Sequence, residues 1–322
     1  ITNNNHPDFL IIEPDSLLAT KSSGSFDIEK TIFLKNSHKI KNNHVFITGL
    51  ARSGTTILLN AIYKTQKFAS LTYKDMPFIL SPNLWSNVNN GRFVLNKQER
   101  AHEDGIKIDA DSPEAFEEVF WNTFDQNKFD TIIEFTNFMR LICIKNNKRR
   151  YLSKNNQNIR RINILKDKYP YSKIIIPFRE PLQHAFSLFN QHKRFIYLQK
   201  KENFIRKYMY WIGHSEFGVD YIPIHKENIR FSNFNDINHW LEQWYLSYNE
   251  LKQFKTSSNI MFVCYEELCT DNTIFKSVLD YIEAQNSFDF DFRLSHKEIK
   301  NQYIRELYHK CLVVYDDLKT RT

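Results

Sequence analysis

Glycine is scarce in this chain of 322 residues, with seven in all, so each one marks a place where the backbone needs the freedom that only glycine has. The four cysteines, Cys143, Cys264, Cys269 and Cys311, fall at no metal-ligand spacing, and three of them sit in apolar runs where a free thiol packs as a small hydrophobe. No disulfide framework is implied. Long hydrophobic runs are missing as well: stretches such as Ile174 to Phe178 are five residues long, against roughly 20 for a membrane-spanning helix. No internal repeat is visible. The chain opens on Ile1 rather than methionine, which leaves a removed leader, tag or anchor open.

Apolar residues make up 42% of the chain and charged residues 25%, enough for a core of globular size. The 27 Phe, 16 Tyr and 5 Trp residues are far more than a disordered chain carries. The net charge of +7 suggests an anionic partner, whether a phosphorylated cofactor, an acidic glycan or nucleic acid; a solvated basic surface is the plain alternative. The lysines are dispersed along the sequence, which argues against a nucleic-acid module with a basic stripe.

Residues 1–43 are polar and rich in Asn and Ser, and read as an arm lying on a single domain that spans 44–322. The domain opens with a β-prone run, Val45-Phe46-Ile47-Thr48, then a loop of small residues, then helix-permissive sequence from Ile57 to Ile62. Strand, turn and helix return at Lys173–Phe178, where Arg179 and Glu180 precede Pro181 at a helix start. They return again at Ile260–Tyr265, ahead of a helical stretch at Phe275–Ala284. Between these units, Pro113–Phe124 and Phe129–Lys145 read as helices and Tyr151–Ser153 as a short strand, and a closing helix follows Asn301. The alternation predicts an α/β fold of three layers, a P-loop-like central parallel β-sheet flanked by helices.

The segment Gly49-Leu50-Ala51-Arg52-Ser53-Gly54-Thr55-Thr56 has the length and glycine spacing of a phosphate-binding loop, whose amides and following helix N-terminus cradle anionic oxygens. It departs from a nucleoside-triphosphate loop at one position: Thr55 stands where lysine would reach the β- and γ-phosphates, and the cation is Arg52 instead. The next strand ends in Arg179, where an Mg²⁺-binding acid would be expected in an ATPase or GTPase. Two cations and no acid suit an anion handled without metal. A tight strand-to-helix turn with a Thr cap is the plain alternative, and a P-loop kinase or a non-catalytic binding protein the functional one.

Residues 52–56, Arg-Ser-Gly-Thr-Thr after a strand, resemble the 5′-phosphosulfate loop of the sulfotransferases that use 3′-phosphoadenosine 5′-phosphosulfate (PAPS). Arg179 followed eight residues later by Ser187 resembles that family's 3′-phosphate site, and Tyr265-Glu266-Glu267-Leu268 resembles its late Tyr-Glu pair. The resemblance runs from about residue 44 to 285. It implies transfer of a sulfuryl group from PAPS to an acceptor hydroxyl, with no metal required. It further implies that the donor is held by Arg52, Ser53, Gly54, Thr55, Thr56, Arg179, Ser187 and Tyr265, that Lys154 is directed at the transferred group, and that Asp75 is the base. His102, in a polar stretch with Glu103 and Asp104, is a second candidate base, and Glu114 and Glu118, four apart, share a helix face that is either acceptor-binding or solvated. For the acceptor, Trp85, Trp121, Tyr151, Trp211, Trp240 and Trp244 offer rings that stack on sugars or serve the core. A bacterial, cytoplasmic enzyme acting on a surface-polysaccharide precursor is expected; a tyrosylprotein-type acceptor, or a Golgi enzyme freed of its anchor, stays open.

Overall fold

Short strands with alternating apolar side chains set the architecture, because a strand buried on both faces sends successive residues into two different cores. The computed structural model describes residues 23–35, 39–89, 96–99, 105–124, 129–227, 229–285 and 290–320. In chain order the first elements are α1 (Ser23–Phe33), β1 (Val45–Ile47), α2 (Thr55–Tyr63), α3 (Pro82–Asn89), β2 (Gln98–Glu99) and β3 (Lys107–Ile108). Then come α4 (Glu118–Thr123), α5 (Phe129–Lys145), β4 (Leu152–Lys154), α6 (Ile162–Lys168), β5 (Lys173–Phe178), α7 (Pro181–Lys201) and α8 (Asn203–Trp211). The last are α9 (Ile237–Leu251), β6 (Ile260–Cys264), α10 (Tyr265–Thr270), α11 (Asn272–Tyr281) and α12 (Arg305–Lys319).

The main sheet has the order β4-β1-β5-β6 and is parallel throughout, with Ile47 opposite both Lys154 and Ile175. Phe46, Ile174, Ile176 and Phe178 enter one core, packed by α5, α7, α9 and α12, while Val45, Ile47, Leu152, Ile175 and Val263 enter the other, under α2, α10 and α11. This is the expected three-layer α/β arrangement. Pro177 lies inside β5, a central strand, where a residue without an N–H would normally break the ladder. It is tolerated because β1 ends at Ile47, so Pro177 pairs only with Val263 of β6 while the loop after β1 passes on its other side.

The helices expected at 129–145 and after Asn301 form, as α5 and α12. The helix expected at Pro113–Phe124 is shorter. Glu114 donates its N–H to the Leu71 carbonyl, and Thr72 bridges Pro113, so residues 113–114 run beside the segment after α2 and α4 begins only at Glu118. Glu114 and Glu118 therefore do not share a helix face. From the expected N-terminal arm, α1 is seated in the domain. Phe26 is fully buried against Phe120, Phe124 and Phe138. The buried Glu29 accepts hydrogen bonds from the Asn83 N–H and side-chain amide, both at 2.7 Å, and from the Leu84 N–H at 2.9 Å, which caps the start of α3. Burial pushes the Glu29 carboxyl up against those bonds. Residues 1–22 of the arm lie outside the described residues, and among the described ones no helix is long and apolar enough to cross a membrane.

Candidate active site

The ends of β1, β4 and β5 point at one cavity of about 540 Å³, placed where ligands bind in open parallel sheets, beyond the carboxyl ends of the strands. The loop from β1 to α2 forms its floor. Arg52 has φ +70° and Gly54 φ +101°; both are left-handed, the kind of reversal from which anion-binding loops are built. Only glycine fits at 54. A Cβ there would stand 2.4 Å from Cδ2 of Tyr265, whose ring lies against the loop. Thr55 and Thr56 open α2 at the positive end of its dipole. Arg52, Gly54, Thr55 and Thr56 line the cavity, whereas the Ser53 side chain is fully buried, leaving that residue its backbone for any ligand contact.

Arg179, at the end of β5, reaches the same loop. Its Nη1 donates to the Arg52 carbonyl at 3.3 Å and its Nη2 to the Ser295 carbonyl at 3.4 Å. Arg179 Nε is buried without a hydrogen-bond acceptor, 3.9 Å from the Glu266 carboxylate. Ser187, in the second turn of α7, accepts from Arg52 Nε at 3.2 Å. Tyr265 completes this end: the Arg179 guanidinium sits 5.4 Å from its ring centroid, and its hydroxyl donates to the Arg293 carbonyl at 3.0 Å. Burial pushes the Tyr265 phenol up, so it stays a neutral donor. Behind the loop, His184 donates from Nε2 to the Ala51 carbonyl at 2.8 Å. Burial, with Arg179 and Arg52 nearby, holds its pKa down at about 3, so no third positive charge gathers there.

Lys154, at the end of edge strand β4 and 7% exposed, enters the cavity beside the loop. Asn156 follows it and was not singled out in the sequence, although it joins the two halves of the site. Its side-chain oxygen accepts from Thr55 Oγ1 at 3.4 Å and its Nδ2 donates to Glu216 at 3.4 Å. Under this corner lies a buried polar network. Glu118 pairs with Arg161 at 2.7 Å and accepts from Asn155 at 2.7 Å, while Glu117 accepts from Asn158 at 2.7 Å and from the Tyr151 hydroxyl at 3.2 Å. Glu118 is a buried brace for the Lys154–Asn158 segment rather than part of a solvated acidic face.

Asp75 does not reach the cavity. It is 0% exposed, and its Oδ2 accepts from the Thr72 N–H at 2.7 Å and hydroxyl at 3.1 Å, closing a capping box, while Oδ1 pairs with Lys145. The residue two places earlier, Tyr73, does line the cavity, and its hydroxyl donates to Glu114 Oε2 at 2.8 Å. Glu114 Oε1 accepts its neighbour's amide, Ala115 N–H, at 2.7 Å. His214, on the same wall, donates from Nε2 to the Ala115 carbonyl at 3.0 Å. His102 lies outside the described residues.

The six aromatic residues considered for the acceptor do not line the cavity. Trp121, Tyr151, Trp240 and Trp244 are buried core, because their helix and strand positions face inward, and Trp85 donates its N–H to the Lys74 carbonyl. Away from the loop, the rings that line the cavity include Tyr73, Phe195, Tyr208 and Phe217, together with Ile106, Met209 and Ile212.

Comparison with known proteins follows the same division of the chain. Residues 44–214, more than half of the chain, match the model of the sulfotransferase family. No curated protein matches. Among solved structures, the sulfotransferase STF1 from Mycobacterium tuberculosis is 10% identical with a TM-score of 0.48, over 92% of this chain and 81% of its own. A sulfotransferase from Alicyclobacillus acidocaldarius is 14% identical with a TM-score of 0.44, over 87% and 95%. Mouse SULT7A1, solved in complex with PAP, is 11% identical with a TM-score of 0.33, over 94% and 72%. Since structural likenesses at that level carry no assignment by themselves, membership rests on the family match, which spans the loop, the Lys154 strand, Arg179 and Ser187: this chain belongs to the sulfotransferase family.

Proposed function

We propose that the enzyme takes PAPS as its donor and moves the sulfuryl group to an acceptor hydroxyl, with Glu114 as the base. The observation that carries this reading is the single cavity running from Arg179 and Tyr265, past the loop and Lys154, to the Tyr73–Glu114 pair and its apolar wall. At the nucleotide end, the Arg179 guanidinium, which lines the cavity, and the Ser187 hydroxyl suit a 3′-phosphate, and the Tyr265 ring against Gly54 borders the bound nucleotide. At the centre, Arg52, Lys154 and the Thr55 and Thr56 amides carry the charge that builds on the phosphosulfate oxygens. At the far end, Glu114 removes the acceptor proton as the acceptor O–S bond forms and the bridging S–O bond breaks, releasing adenosine 3′,5′-bisphosphate (PAP). Tyr73, by donating to Glu114 Oε2, fixes that carboxylate's orientation.

For the acceptor we favour a carbohydrate. Phe195, Tyr208 and Phe217 give faces on which a sugar ring stacks, and Lys107, His214 and Glu216 supply polar contacts at its edges. A phenol, including a peptide tyrosine, is the second reading, because the same apolar wall fits an aromatic ring. The donor is tested by calorimetry with PAP and with ADP, without added metal. Micromolar or tighter affinity for PAP, at least tenfold above ADP, is expected. In Arg179→Ala the loss of about two charge-assisted hydrogen bonds, each about 1.5–3 kcal/mol, should weaken PAP by 100-fold or more and ADP by only a few-fold. Equal affinities for PAP and ADP in the parent enzyme would remove PAPS as the donor.

A further inference from the structure

The outer faces of α7 and α8 carry a concentration of charge that dispersal along the sequence hides. Residues 193–210 hold six Lys and Arg against one acid, Glu202, a local surplus of five in a chain whose whole net charge is +7. On α7, Lys193, Tyr197, Lys200 and Lys201 follow an i, i+4, i+7, i+8 spacing, so they form one stripe, and all four are exposed. On α8, Lys207 and Tyr210 are exposed likewise, and Arg206 is tied to Asp220 at 2.6 Å. Tyr197 and Tyr210 are 65% and 66% exposed, and Val219, whose N–H donates to Gln199 of α7 at 2.6 Å, is 47% exposed. Apolar rings set among lysines are costly in plain solvent and suit a boundary where the ring meets hydrocarbon and the ammonium meets anionic headgroups. The inner faces of these helices supply Phe195, Tyr208 and Met209 to the wall of the cavity proposed for the acceptor.

We infer that the α7–α8 corner docks the enzyme on an anionic lipid surface, which brings the cavity walled by the inner faces of the same helices close to molecules held in that surface. The occupant is a membrane rather than a soluble polyanion because the stripe alternates charge with exposed tyrosine, and a polymer of phosphates or sulfates would give the Tyr197, Tyr210 and Val219 side chains no apolar partner. The surface belongs to helices that also wall the acceptor site, so the inference deepens the acceptor reading and rests on it. The docking test itself needs no turnover, and its failure would leave sulfuryl transfer untouched.

The experiment is flotation of the full chain with vesicles of phosphatidylcholine alone and with one third phosphatidylglycerol, at low and at physiological salt. Binding to the anionic vesicles only, weakened by salt, is the expected result. With about a fivefold loss for each positive charge removed at such a surface, Lys200→Ala/Lys201→Ala/Lys207→Ala should lower vesicle affinity on the order of 100-fold while PAP affinity stays within twofold. Tyr197→Ser/Tyr210→Ser should lower vesicle affinity at both salts. No flotation of the parent enzyme at low salt, or flotation unchanged in the triple variant, overturns the inference. So does tighter binding to soluble dextran sulfate or duplex DNA than to anionic vesicles, which would assign the surface to a polyanion.

Discussion

Exchanging Glu114→Gln and, separately, Asp75→Asn sets two carboxylates against each other, and their surroundings predict opposite outcomes. In Glu114→Gln the new amide oxygen can keep the Ala115 N–H bond, 2.7 Å in the parent, and the NH₂ can donate to the Tyr73 hydroxyl oxygen, 2.8 Å away. The geometry survives and the basicity is lost. General-base catalysis contributes typically about 10²–10⁴-fold, so kcat should fall by that factor, about 3–5 kcal/mol of barrier, with PAP affinity unchanged. In Asp75→Asn the oxygen can keep both Thr72 bonds, but the NH₂ then faces the Lys145 ammonium, which is 15% exposed. Breaking a buried pair by neutralising one partner costs on the order of 3 kcal/mol. The melting temperature should drop by roughly 5–10 °C with little change in kcat below the transition. The assay is PAP release from PAPS with the best acceptor from a panel of sugar and phenol hydroxyls, alongside a thermal melt. Retained kcat in Glu114→Gln with abolished turnover in Asp75→Asn would refute the assignment, since the Asp75 carboxylate would then have to leave its cap to reach substrate.

Gly54→Ala must place a Cβ 2.4 Å from the Tyr265 ring at φ +101°, so the ring has to move by about 1 Å to restore ordinary contact. PAP affinity should fall at least tenfold, and the melting temperature by a few degrees, as read by calorimetry and a melt. A third prediction concerns pH. His44, His184 and His192 are buried, and burial lowers their pKa values to about 4, 3 and 4. Their unfolded values lie near 6.5, so the unfolded chain binds more protons between about pH 6.5 and 4. Stability is then full above pH 6.5 and lost as pH falls, with a steepest slope of about 1.4 kcal/mol per pH unit for each group. Denaturant melts at pH 7, 6 and 5 should show that decline, and a flat profile would contradict the burial of these rings as neutral species.

Much of the geometry of the half proposed for the nucleotide was legible in the sequence, because it is local. The bend from Gly49 to Thr56 is written in consecutive residues, and Arg179 and Ser187 sit at a strand end and in the second turn of the next helix, a spacing fixed by α-helical geometry. The acceptor half is assembled from segments far apart. Glu114 faces the cavity because its backbone is tied to Leu71, more than forty residues away, and no spacing rule connects the two. Asp75 stood at a plausible count after the loop, but a single 3-10 turn from Tyr73 to Asp75 carries one side chain into the cavity and the other into a cap. The tryptophans were ambiguous for a different reason: a large ring is equally at home in a core and on a sugar, and only the face of the helix decides.

The cap that α1 places on α3 bears on where this molecule begins as a folding unit. The family match starts at residue 44, yet Phe26 fills a cluster of four rings and Glu29 satisfies the amides of Asn83 and Leu84, both from outside that limit. At the other end, Tyr308 donates to Glu180 at 2.8 Å and Tyr315 to Glu266 at 3.2 Å, so α12 steadies the two carboxylates that flank Arg179. Evolutionary signal and mechanical integrity are drawn on different maps here. The matched segment holds most of the chemistry, while the parts outside the family match hold that segment in shape, and a domain trimmed to the matched limits would keep its signature and lose its footing.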